Sequence, residues 1–108
     1  MTRVDILQDT LDMLILKTLS HDPIDGFAIA LRIRQLTDEA PQIGEGSLYP
    51  ALYRMEQKGW IKAEWGVSEN NWRAKYYKLT RTGRKQLEGE VPSYARLTEA
   101  IAKALQTA

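Results

Sequence analysis

Gly46-Ser47-Leu48-Tyr49-Pro50-Ala51-Leu52-Tyr53-Arg54-Met55-Glu56-Gln57-Lys58-Gly59-Trp60-Ile61 reads as a helix whose two faces serve different purposes. Leu48, Ala51, Leu52 and Met55 recur at helical spacing and can pack on a core, while Tyr49, Pro50, Tyr53, Arg54 and Gln57 project from the other side. Two phenols, a guanidinium and an amide are planar hydrogen-bonding and stacking groups, the kind that meet base edges and phosphates in a major groove. Ser47 is a suitable N-cap, Pro50 falls in the first turn where its missing N–H is tolerated, and Gly59 can take the left-handed position just past the end. The stretch predicts a recognition helix of about three turns. Taken alone it also fits an amphipathic core helix with an incidental polar face, so its surroundings decide.

After Gly59 come two runs that read as strands, Trp60-Ile61-Lys62-Ala63-Glu64-Trp65-Gly66 and Ala74-Lys75-Tyr76-Tyr77-Lys78-Leu79-Thr80. Both alternate in character and are rich in aromatic residues, with Ile61, Ala63 and Trp65 on one side of the first and Tyr77 and Leu79 on one side of the second. The polar link with Ser68, Asn70 and Asn71 is a turn. Two helical segments precede the recognition helix. Leu7, Leu11, Leu14, Ile15 and Leu19 share a stripe, with Asp9 and Thr10 as candidate caps, and the chain breaks at Ser20-His21-Asp22-Pro23. Asp25 can cap a second helix carrying Ile29, Ile33 and Leu36, which ends before a loop around residues 37–45. Three helices followed by a hairpin is the order of a winged helix-turn-helix, mainly α with a small β-hairpin, the hairpin being the wing.

A chain of 108 residues, 44% hydrophobic, can bury roughly two-thirds of its unfolded surface, enough for one small domain that would gain from a partner subunit. The absence of cysteine excludes disulfides and thiolate metal sites and agrees with a reducing cytoplasm. The apolar run from Leu11 to Leu19 contains Asp12 and Lys17 and is too short to cross a bilayer, so a cytoplasmic protein without membrane attachment is expected. The net charge of +1 hides an uneven distribution. Residues 1–40 carry 4 basic and 7 acidic side chains, residues 41–85 carry 9 and 4, and residues 86–108 carry 2 and 3. The net +5 of the middle segment coincides with the recognition helix and wing, where Lys and Arg can release counterions condensed on a duplex. Arg81, Arg84 and Lys85 follow Thr80, a candidate cap, and cations at a helix start oppose its dipole unless an anion lies nearby.

From about Thr82 to Gln106 the chain reads as a further helix, with Leu87, Val91, Tyr94, Leu97, Ile101 and Leu105 as its apolar stripe. A winged domain spanning 1–80 does not need this appendage to close its core, so residues 81–108 are expected to carry a dimer contact, most simply with a second copy. The expected interface comprises Leu7, Leu11, Val91, Tyr94, Leu97, Ile101 and Leu105. Pro92 is expected to kink this helix or split it, with Ser93 as a new cap.

The chain resembles the PadR family of bacterial transcriptional regulators. The residues that carry the resemblance are Thr10-Leu11-Asp12-Met13-Leu14-Ile15-Leu16, Gly26-Phe27, the run Gly46 to Glu56, and Lys75-Tyr76-Tyr77-Lys78-Leu79-Thr80 with Gly83. The resemblance implies a homodimeric winged helix-turn-helix repressor of inverted-repeat operators, with helix 46–58 in the major groove of double-stranded DNA and the 60–80 hairpin on the backbone. It carries Ser47, Tyr49, Pro50, Tyr53 and Arg54 over as recognition contacts; Gln57 shares their face, and Arg73, Lys75 and Arg81 are the expected backbone contacts. Trp72 departs from the family pattern, standing where a basic residue is common, as does Val67 at a frequent proline position. Family members often respond to small aromatic or lipophilic effectors. Here any effector is unknown, and with Tyr94 the only aromatic residue in the last helix, weak or no binding of planar compounds is expected.

Nothing in the chain argues for catalysis, a cofactor or a metal. His21, the single histidine, falls beside Asp22 and Pro23 at a helix end. Gly44-Glu45-Gly46 continues into no phosphate or dinucleotide fingerprint. The alternative to DNA binding is a winged-helix protein-interaction module whose basic face meets an acidic protein.

Overall fold

The computed structural model describes residues 3–37 and 45–107, with side chains from residue 8 and from Gly46 onward in the two segments. Helix α1 (Arg3–Thr18) is followed by a short strand β1 (Ile24–Asp25), α2 (Gly26–Leu36), α3 (Glu45–Gln57), β2 (Ile61–Val67), β3 (Arg73–Leu79) and α4 (Arg81–Gln106). The expected architecture, mainly α with a small hairpin, is the one observed.

The core is a cluster to which every helix contributes. Ile15, Leu16 and Leu19 of α1 meet Ile29 and Ile33 of α2 and Leu48, Ala51, Leu52 and Met55 of α3, with Ile61 and Tyr77 of the sheet and Leu87 of α4 closing it. Leu11, Trp60, Ala63 and Leu79 pack at its edge. The hairpin register pairs Ile61 with Leu79 and Ala63 with Tyr77, so one face of the ribbon lies on the core. At its tip Ser68 N–H donates to the Trp72 carbonyl at 2.8 Å, and Asn71 adopts a left-handed φ of 64°. Asn tolerates that conformation better than most residues.

Several boundaries differ from expectation. Asp9 and Thr10 lie inside α1, which starts at Arg3, so they do not cap it. Likewise α3 starts at Glu45, which puts Ser47 inside the first turn and Pro50 in the helix interior. Pro50 and Gly46 are both exposed, so water can satisfy the carbonyl that the proline leaves without an amide partner. Leu36 points outward and Trp65, past the end of the core, is also exposed. The expected loop at 37–45 falls mostly outside the described residues. Strand β1 was not anticipated: it adds to β3, Ile24 opposite Tyr77, making a three-stranded antiparallel sheet in the order β1-β3-β2. Asp25 serves as part of that strand and, as expected, as the cap of α2, its carboxylate accepting from Ala28 N–H at 2.8 Å.

Pro92 neither splits α4 nor makes Ser93 a cap; the helix runs 26 residues through it, and Ser93 Oγ donates within the helix to Gly89 O at 3.2 Å. Both Pro92 and Glu88, whose carbonyl loses its donor, are on the exposed side, where solvent replaces the lost bond. Thr80 does cap α4, its hydroxyl accepting from Gly83 N–H at 3.0 Å.

Candidate nucleic-acid interface

The end of α3 is built by a two-bond wrap that fixes the exit of the chain. Trp60 N–H donates to Met55 O and Gly59 N–H to Glu56 O, each at 3.0 Å, with Gly59 at φ 76°, a conformation that glycine adopts without steric cost. This turn carries the chain directly into β2. Thr80, at the far end of the hairpin, closes the base of the wing by donating from its backbone N–H to Trp60 O and from its hydroxyl to Gly59 O at 2.6 Å. Helix α3, the hairpin and α4 therefore meet at one junction.

With Leu48, Ala51, Leu52 and Met55 buried, the opposite face of α3 presents Ser47, Tyr49, Pro50, Tyr53 and Gln57 to solvent together, as expected. Tyr53 is 66% exposed and Tyr49 43%, so both rings with their hydroxyls are open to a partner on this face. Tyr49 leans against Gly26 at the start of α2 and so is oriented by its neighbour.

Arg54 stands apart from that group. Its guanidinium forms an ion pair with Asp12 of α1, and the Gln8 amide oxygen accepts from its Nε at 2.8 Å and Nη1 at 3.1 Å in the orientation its partners require. Asp12 is only 6% exposed. Burial pushes its carboxyl above the ordinary carboxylate value, and the charge and hydrogen bond of Arg54, with Lys58 further off, pull it back only in part. The side chain that sequence reasoning placed beside the tyrosines thus holds α3 against α1, with 27% of its surface left to solvent.

The wing cations are arranged in the same economical way. Arg73 lies over the Trp65 ring at 4.6 Å, Lys75 pairs with Glu56 of α3 at 3.5 Å, and Lys78 with Glu64 at 3.4 Å. Lys75 also sits 5.6 Å from the Tyr77 ring, whose phenol lies above its ordinary pKa because burial raises it more than Lys75 lowers it. Arg81 is exposed at the opposite end of β3 from Arg73, beside the α3 exit, and the neighbouring Arg84 donates to Ser20 O at 3.3 Å. The structure thus brings Arg73 and Lys75 together with Tyr49 in one groove, which also contains Phe27, Trp65 and Trp72. Those three rings were not among the expected site residues, although Gly26-Phe27 and Trp72 both stood out in the sequence. Gln8 was also missed, as was Asp12, 42 positions from Arg54, since nothing local marks so distant a partner.

On α4, Val91, Leu97, Ile101 and Leu105 form an exposed apolar face. Tyr94 is half-buried, its hydroxyl 3.0 Å from Thr10 Oγ1, which ties α4 to α1 of the same chain. Leu11 packs at the edge of its own core, and the Leu7 side chain lies outside the described residues. Among the described residues no helix is long and apolar enough to cross a membrane, and no cluster of potential metal ligands occurs.

A helix with an exposed polar-aromatic face, set between a supporting two-helix core and a hairpin, defines a winged helix-turn-helix regulator. Residues 15–89 match the family of PadR-like transcriptional regulators, and the chain belongs to that family, whose members are regulators of transcription and not enzymes. It is 33% identical over 101 residues to uncharacterized protein X of Lysinibacillus sphaericus, covering 94% of this chain and 93% of that one. Its fold is similar to a transcriptional regulator from Clostridium thermocellum, with a TM-score of 0.80 at 32% identity over 92% of this chain and 96% of the other. A PadR-like transcriptional regulator from Bacillus cereus gives 0.81 at 26% identity, over 96% and 99%.

Proposed function

We propose that the protein is a cytoplasmic, homodimeric repressor that binds an inverted-repeat operator, with α3 in the major groove and the β2–β3 wing on the adjacent backbone. The observation that carries this reading is the exposed face of Ser47, Tyr49, Pro50, Tyr53 and Gln57 opposite a fully buried one. Tyrosine and amide groups so presented can bond base edges and phosphates at once. The net +5 of residues 41–85 supplies the electrostatic share of the affinity.

The test is a titration against a duplex from the protein's own upstream region and against scrambled DNA, at about 150 mM salt, with the mass of the complex read by light scattering. A specific regulator should discriminate by roughly a thousandfold or more. Equal weak binding to both duplexes would count against operator recognition there. In the same assay Tyr53→Ala should lose on the order of 1–3 kcal/mol of operator affinity. Because Tyr53 is exposed, its melting temperature should match the parent's.

Dimerisation is assigned to the apolar face of α4. Leu97→Asp or Ile101→Asp places a charge where this face would meet its copy, and should convert a species of twice the chain mass into one of single mass. Operator affinity should then fall because the second half-site is lost. Sedimentation indistinguishable from the parent would move the interface elsewhere.

A further inference from the structure

The groove between the start of α2, the outer face of α3 and the wing has a volume of about 700 Å3 and is bordered by aromatic rings from three elements. Phe27 comes from α2, Tyr49 from α3, and Trp65 and Trp72 from the wing. Trp72, at the end of the hairpin turn, is 73% exposed, and its backbone is fixed by hydrogen bonds to Ser68. A wing that gripped DNA through charge would present free cations. Here Arg73 lies on Trp65, Lys75 pairs with Glu56 and Lys78 with Glu64, while Lys62 is exposed toward the base of the hairpin; at the tip, the most exposed ring is the Trp72 indole.

We infer that Trp72 packs into the minor groove of bound duplex DNA, against deoxyribose faces and a partly opened base step, and so adds an apolar contact at the wing tip to the ionic ones of the wing. This rests on the DNA-binding reading above and deepens it. Duplex DNA is the occupant that the surroundings favour. Arg73 and Lys75 border the same groove, it lies in the segment of net +5, and Tyr49 continues it onto the exposed face of α3. Asp25 also borders it, with its carboxylate engaged in capping α2. Apolar side chains that enter the minor groove act as wedges, and pyrimidine–purine steps open for them most readily. Trp72 then selects deformable flanking sequence without itself contributing to the salt dependence.

The experiment compares the full-length parent with Trp72→Ala and Trp72→Phe on the duplex that the parent binds specifically, over a series of salt concentrations. Stacking contacts of this kind set the expected loss for Trp72→Ala at about tenfold in affinity, with Trp72→Phe within about threefold of the parent. The slope of log affinity against log salt should be the same in all three, because no phosphate contact has been removed. On a version of that duplex whose wing-flanking segment is A·T-rich and contains TA steps, netropsin, which occupies the minor groove of A·T tracts, should weaken the parent several-fold more than Trp72→Ala. Parent-like affinity in Trp72→Ala, a slope shallower by about one unit, or equal competition by netropsin would each overturn the inference. A parent that fails to discriminate operator from scrambled DNA would be a failure of the proposed function, whereas a discriminating parent with an indifferent Trp72→Ala rejects the role of the indole alone.

Discussion

Arg54→Ala is expected to destabilise the fold by about 2–3 kcal/mol at pH 7, in addition to weakening any DNA complex, because it leaves the Asp12 carboxylate buried without its cation. The partial exposure of Arg54 keeps the figure below the largest losses known for buried pairs. The pH dependence identifies the cause. A carboxyl whose folded-state pKa lies above its unfolded value contributes stability that is fully present below the unfolded pKa and is lost as pH rises through the folded one. Asp12 is already raised above 3.8, and removing Arg54 takes away the charge that most opposes the rise. The deficit of the variant should therefore be small at pH 4 and open progressively toward neutrality. Asp12→Asn added to Arg54→Ala should recover most of it. Urea unfolding at the two pH values reads this directly, and an equal loss at both would mean that Arg54 stabilises by packing and not through the Asp12 charge.

Gly83→Ala should have an effect at least as large, about 3 kcal/mol or more, and lower the melting midpoint by more than about 10 °C. A methyl carbon at this position would lie 2.0 Å from Trp60 O and 2.8 Å from Leu79 Cδ1. Backbone and strand would both have to retreat, loosening the junction where α4 starts against the α3 exit. The same substitution at Gly89, on the same helix but with open space around it, should instead stabilise by about 0.5–1 kcal/mol through helix propensity. Opposite signs at two glycines six residues apart would locate the close contact. Two stabilising results would show that α4 is free to move away from Trp60.

The three-helix-and-hairpin order was legible because Ile15 and Leu19, Ile29 and Ile33, and Leu48, Leu52 and Met55 repeat with the helical period and all are buried. The caps Asp25 and Thr80 and the turn at Gly59 were readable for the same local reason. Helix starts were less so, since Asp9, Thr10 and Ser47 suit a cap chemically but sit inside helices whose backbone begins earlier, at Arg3 and Glu45. Strand β1 has two residues, too few for any periodicity, and exists because Tyr76 and Tyr77 offer it an open edge. Pro92 was expected to interrupt α4, yet its exposed position leaves the lost hydrogen bond to water. Of the candidate interface, the α3 face could be assigned from spacing. The role of Arg54 could not, because helix position says only that a long side chain begins on one face and not which way it turns.

The unbroken α4 has a mechanical meaning. At about 1.5 Å per residue its 26 residues form a rod of about 39 Å. The rod is anchored at its base to Gly59 and Trp60 through Thr80 and to Ser20 through Arg84. On the proposed pairing, where two copies join along the distal half, such a rod is a lever: a tilt of about 5° at the joint moves its base by about 3 Å, close to the 3.4 Å rise of one base-pair step. The angle at which the two rods cross thus sets the span between the two reading heads, and an operator with one base pair more or less between its half-sites would be measured against it.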